Sequence, residues 1–180
     1  MKWKTVEPDI KILNSDILLK SYSICTVLSL LKSPINYFVA CEEDCWKKIR
    51  KHLKSSPNEL GGLLIGRIFK MDDAERYLIH MDDIVASKNF ENSPVSLKMD
   101  PDIWREANAL LSKDQAVVGW YHSHPNLGVF FSGTDRQNQK ASFSQNFHLG
   151  LVYDPVRDET ALFKGAESEE ISLSQFTVLN

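Results

Sequence analysis

Two histidines two residues apart close the apolar run Gly119-Trp-Tyr-His-Ser-His-Pro125, placing His122 and His124 at the end of a predicted strand. Side chains alternate across a strand, so positions i and i+2 share a face. Both imidazoles can therefore converge on one point while Ser123 faces the other way. This is the strand counterpart of the i, i+4 histidine pair found in helical zinc protease motifs. Asp135 follows His124 by eleven residues, on the first turn of a predicted helix, and Pro125 to Phe131 is long enough to fold back. Two imidazoles and one carboxylate leave a fourth tetrahedral position open, the count that separates a catalytic from a structural zinc site. Such a site lowers the pKa of water to about 7, and a nearby carboxylate must still take the proton. Glu59 is the candidate, just ahead of Gly61-Gly62-Leu63-Leu64-Ile65-Gly66, where small residues let neighbouring backbones approach closely. Spacing alone does not single it out from the other glutamates.

The elements that must position these groups read as a mixed α/β domain. Strands are expected over Ile35 to Ala40, Leu63 to Phe69, Arg76 to Val85 and Ala116 to Tyr121, with Leu149 to Tyr153 and Thr160 to Phe163 forming a hairpin across Asp154-Pro155. Ile171 to Val178 reads as one last strand. Glu42 to Lys54 has Trp46, Ile49 and Leu53 on one helical face. A second helix opens at Asp100-Pro101, an N-cap followed by proline at the first helical position. A third runs from Ser132 to about Phe143, its start resembling a capping box, Ser132-Gly-Thr-Asp135. Capping and metal ligation would then compete for the Asp135 carboxylate. Ala86 to Met99 is polar and reads as a loop or flap. Residues 1–34 form an N-terminal extension of unclear role, and 35–180 the folded domain.

The chain has 180 residues, 43% hydrophobic and 25% charged, enough for one domain with its own core. A net charge of −3 argues against a nucleic-acid partner. No apolar run reaches the roughly 18–20 residues of a membrane helix, and acidic residues interrupt the N-terminus where a signal peptide would be apolar. The expectation is a cytoplasmic protein with no membrane partner. Three cysteines, Cys25, Cys41 and Cys45, give no disulfide framework. Cys41 and Cys45, at i, i+4 spacing, read as reduced thiols on an ordinary helix. His52, His80 and His148 read as surface or packing residues, and Trp104 and Trp120 as core.

With Glu59, His122, His124, Pro125, Ser132 and Asp135 in place, the chain resembles the JAMM (MPN-plus, JAB) zinc metallopeptidases over roughly Ile35 to Lys164. That signature is a Glu before a small-residue apolar strand, His-x-His-Pro, seven residues to a Ser, and an Asp three further on. Asn58 to Gly66, Val118 to His124 and Leu151 to Pro155 also look like family segments. The resemblance implies a single JAMM domain, a mixed and mostly antiparallel sheet flanked by helices in a cytidine-deaminase-like layered arrangement. It implies one Zn2+ on His122, His124 and Asp135, with Glu59 as general base. Ser132 would stabilise the oxyanion, a role worth about 3–4 kcal/mol for one donor. The implied reaction is deubiquitinase-like cleavage of an amide or isopeptide bond after the C-terminus of a ubiquitin-like protein. The alternatives are a peptidase processing a sulfur-carrier protein in biosynthesis and a non-catalytic scaffold. Eukaryotic deubiquitinating members carry a long insertion after the Asp; here Leu149 lies fourteen residues beyond Asp135, which suggests a compact, bacterial-type member. The flap sits about where family members cover the scissile tail, and it would add an edge strand to that tail.

Overall fold

The computed structural model describes residues 8–12, 22–23, 27, 36–71, 76–87 and 101–179. Among the described residues, nine strands and three helices follow one another as β1 (Ile10–Ile12), β2 (Tyr37–Glu42), α1 (Glu43–Leu53), β3 (Gly61–Met71), β4 (Arg76–Ala86), α2 (Pro101–Leu110), β5 (Ala116–Ser123), α3 (Gly133–Ser142), β6 (Leu149–Asp154), β7 (Glu159–Lys164), β8 (Glu169–Ile171) and β9 (Phe176–Leu179). The strands make one sheet in the order β8-β7-β6-β5-β3-β4-β2-β9, with β1 added alongside β3. The longest ladder is antiparallel, between β3 and β4; β5 meets β3 antiparallel and β6 parallel.

The expected last strand, Ile171 to Val178, is two strands. Ser172 caps a single 3-10 turn at Leu173–Gln175, which redirects the chain from β8, paired with β7, to β9, paired with β2. Ile171 and Phe176 are five residues apart, at most about 18 Å of chain, yet they lie on opposite ends of the strand order. The sheet must therefore curl until its two edges approach. α1 fills the curl. Its Cys45, Ile49 and Leu53 are buried at i, i+4 and i+8, against Tyr37 and Met81 from one limb and Leu162 and Ile171 from the other. Trp46, expected on the buried face, is only partly buried. Acidic Glu43 and Asp44 in the first turn and basic Arg50, Lys51 and His52 in the last complement the helix dipole.

Strand alternation sorts the core into two layers. Leu64, Tyr121 and Leu151 face α1, joined by Val118 where the β3–β5 register shifts, whereas Leu63, Trp120, Val152 and Phe163 pack with Ile103 and Ala107 of α2 and with Phe143 at the end of α3. Gly62 permits the close β3–β4 approach: a Cβ there would lie 2.2 Å from the Val85 carbonyl. Cys41 and Cys45 are free and buried, but not on one helix, since Cys41 belongs to β2 and only Cys45 to α1. At the N-terminal side, Ile10–Ile12 pairs with Ile68 to Lys70, and Tyr22 and Val27 are buried with Phe38, Ala40, Phe69 and Leu78. Among the described residues no helix is long and apolar enough to cross a membrane. Most of the Ala86 to Met99 segment, and the Asp100 cap, lie outside the described residues; Ala86 still pairs with Gly62.

Candidate metal centre

The geometry of one sheet end brings the site together. β5 runs antiparallel to β3, with His122 opposite Gly61, so the residues just before β3 lie beside those just after β5. The Ser123 N–H donates to the Leu60 carbonyl at 2.9 Å, and the Leu60 N–H donates to Ser123 Oγ at 3.0 Å. Ser123 thus faces away from its neighbouring histidines, as strand alternation requires, and grips the backbone next to Glu59. On the other side of β5, the parallel strand β6 ends at Asp154, and the His124 N–H donates to the Tyr153 carbonyl at 3.2 Å.

Asp154 organises the loop that leaves His124. Its buried carboxylate accepts from the N–H groups of Asn126 (3.0 Å), Gly128 (2.9 Å), Val156 (2.9 Å) and Arg157 (3.2 Å). The loop needs that hold, because Asn126 and Gly128 both adopt positive φ, 61° and 88°. It ends at Ser132, where α3 begins with a complete capping box: Asp135 N–H donates to Ser132 Oγ, and Ser132 N–H donates to Asp135 Oδ2 at 2.7 Å.

Three ligand atoms converge here. His122 Nε2 lies 3.1 Å from His124 Nε2 and 3.4 Å from Asp135 Oδ1, and His124 Nε2 lies 3.6 Å from Asp135 Oδ2. Tetrahedral ligands at zinc distances of about 2.0–2.2 Å are spaced about 3.3–3.6 Å apart. The observed separations are close to these, and two imidazoles with one carboxylate are a donor set that fits a zinc ion. The side chains of His122, His124 and Asp135 are 0%, 5% and 6% exposed, while Glu59, 28% exposed, stands at the mouth with Oε1 3.9 Å from His124 Nε2. Burial pushes the His124 imidazole down to about 4, reinforced by His122. Burial would raise the Asp135 carboxyl, but hydrogen bonds to His122 and Ser132 outweigh it and hold the group at about 2. Burial raises Glu59 above the ordinary carboxylate range, against the opposing pull of His122. A neutral imidazole, an ionised carboxylate and a base of raised affinity for protons are the states that metal-assisted hydrolysis uses.

A groove of about 280 Å³, lined by Lys54, Ser55, Ser56, Pro57, Pro125, Pro155 and Val156, adjoins the site along the chain segments that carry Glu59 and His124. Glu42, His80 and Asp82 form a second group of metal-capable side chains. Their hydrogen bonds are already met: His80 Nε2 contacts Glu42 at 2.7 Å, and the Arg67 guanidinium forks onto Asp82 at 2.6 and 3.0 Å, supplying the cation.

Residues 42–164 match the family described as prokaryotic homologs of the JAB domain. The chain belongs to this JAB family. A 26S proteasome regulatory subunit RPN11 of Candida glabrata is 32% identical over 117 residues, 61% of this chain and 36% of that one. The ubiquitin carboxyl-terminal hydrolase RPN11 of Saccharomyces cerevisiae is 32% identical over 116 residues, again 61% of this chain and 36% of that one. This JAB chain thus spans about a third of the length of those two relatives. A Desulfitobacterium hafniense protein solved in solution shares the fold, with a TM-score of 0.57 at 20% identity over 79% of this chain and 93% of that one.

All five residues singled out in the sequence, Glu59, His122, His124, Ser132 and Asp135, lie at this one end of the JAB sheet. Sequence reasoning passed over three others that hold them. Asp154 was read only as part of a turn. Trp120 is core, as expected, but its ring stacks on His122 at 4.5 Å and 6°. Gln139 lies four residues after Asp135 and hence on the same helical face, a signal that was available.

Proposed function

We propose that this chain is a zinc-dependent, deubiquitinase-like peptidase that hydrolyses the amide or isopeptide bond after the C-terminus of a ubiquitin-like protein. The observation that carries the reading is the convergence of the His122, His124 and Asp135 donor atoms within reach of one metal ion, with the Glu59 carboxylate 3.9 Å from His124 Nε2. Zinc held there lowers the pKa of water to about 7 and polarises a carbonyl. Glu59 takes one proton from the attacking water and returns it to the leaving amine, so that the products are a free carboxylate and an amine. Ser132 is suited to the carbonyl oxygen as it gains charge. Its Oγ accepts from the Asp135 N–H, which leaves the hydroxyl hydrogen to donate. Cys41 and Cys45, buried in the layer that packs on α1, take no part. A ubiquitin-like substrate is favoured by the name of the Saccharomyces relative.

The test is cleavage of a panel of linear and isopeptide-linked fusions, ubiquitin and small sulfur-carrier proteins included. Cleavage after the ubiquitin-like C-terminus is expected, abolished by chelation and restored by added Zn2+. Cleavage that survives complete metal removal would contradict the reading.

A further inference from the structure

His122 is the deepest of the three convergent groups, its side chain fully buried. Histidine ligands ordinarily donate their second ring N–H to a carboxylate, carbonyl or water, which sets the ring's rotation. The Nδ1 atom of His122 is buried with no hydrogen-bond partner among the described residues. Besides the contacts of its Nε2 to His124 and Asp135, the ring lies against the Trp120 indole, parallel to it at 4.5 Å, with Phe131 tilted at 5.9 Å on its flank.

The indole is itself anchored. Its Nε1–H donates to Gln139 Oε1 at 2.5 Å, and its other contacts include Phe143, stacked at 6.0 Å and 15°. Gln139 is fully buried. Its Nε2 donates toward the carbonyls of Gly165 (3.2 Å), Phe143 (3.3 Å) and His148 (3.5 Å), tying α3 to the β6 and β7 ends. Gly150 makes the room: a Cβ there would lie 2.3 Å from the Phe131 ring and 3.1 Å from Gln139 Oε1. Because Gln139 follows Asp135 by one helical turn, α3 delivers a candidate ligand and the anchor of a second ligand's stack on the same face.

We infer that Trp120 and Gln139 are positioning residues of the metal centre, orienting the His122 imidazole by stacking so that Nε2 meets His124 Nε2 and the Asp135 carboxylate. This role rests on zinc binding by those three groups. Partners outside the ligand shell typically account for about 10–100-fold in metal affinity.

The experiment measures Zn2+ affinity by competition with a chromophoric chelator, on the full chain and on Trp120→Leu, Trp120→Phe and Gln139→Met, each first shown to melt cooperatively without metal. Trp120→Leu is expected to bind about tenfold or more weakly. Trp120→Phe keeps an aromatic face and recovers most of that loss, and Gln139→Met falls between. The visible spectrum of the Co2+-loaded protein provides a signature that mere destabilisation would not move: Trp120→Leu should shift and weaken the tetrahedral bands, and Trp120→Phe should restore them. Unchanged affinity and spectrum in Trp120→Leu, or in Gln139→Met should the former not fold, would overturn the positioning role alone. So would Trp120→Phe binding as weakly as Trp120→Leu. A wild-type chain that binds no Zn2+ would remove the metal reading and this role with it.

Discussion

Asp135 does two jobs with one carboxylate. Its Oδ2 accepts the Ser132 N–H at 2.7 Å and completes the capping box, while Oδ1 faces His122 Nε2 at 3.4 Å. Oδ2 also lies 3.6 Å from His124 Nε2, so the cap holds the carboxylate against both imidazoles and leaves Oδ1 free of the cap. The cap, worth about 1 kcal/mol, also orients the ligand. Ser123 is the other residue whose value lies in what it grips. Its N–H and Oγ both engage Leu60, so replacing the hydroxyl loosens the segment carrying Glu59 but leaves His122 and His124 in place. Ser123→Ala is expected to lower kcat about tenfold, since small misplacements of a catalytic group are costly, with KM and zinc content unchanged. Unchanged kcat in steady-state assays at matched zinc content would show that Glu59 is placed by other contacts.

At the scale of elements, the helices and most strands were legible because hydrophobic periodicity and caps report them directly. The site was legible because His122 and His124 are adjacent on one strand and Asp135 opens one helix. What periodicity could not report is pairing between distant segments: the split of Ile171 to Val178, the separation of Cys41 from Cys45 into strand and helix, and the grip of Asp154 on the loop after His124. The turn following α3 is a similar case. His148 Nδ1 accepts from the Gln145 N–H at 3.1 Å, and burial lowers this imidazole to about 4, opposed by the Phe143 backbone. The folded state therefore keeps His148 neutral while the unfolded state takes up a proton near its ordinary value of about 6.5. Stability supplied by this group is present above about pH 6.5 and is lost as pH falls toward 4. His148→Gln is expected to flatten the decline of Tm across that window, read in parallel thermal melts of the metal-free variant and wild type, in which the His124 contribution is common to both. An equally steep decline would assign the acid sensitivity to other groups.

For the whole molecule, the pairing of β5 with β3 and β6 and the capped start of α3 bring Glu59, the histidine pair and Asp135 to one end of the sheet, although they are far apart in the sequence. The resemblance to JAMM enzymes implied that set of residues, and residues 42–164 match the JAB family. Residues 1–34 were the least legible because no clean period runs through them; the described part pairs with the end of β3 at Ile10–Ile12 and covers the β2–β4 limb with Tyr22 and Val27. Glu59→Gln tests most directly whether Glu59 is the base at a zinc site formed by His122, His124 and Asp135. Zinc content and cleavage of a ubiquitin-like fusion should be measured on this variant and the wild type together. The expected result is about one zinc per chain in both proteins, with turnover in the variant reduced at least about a hundredfold, the scale of a lost general base. Full turnover by Glu59→Gln at equal zinc content would contradict the account.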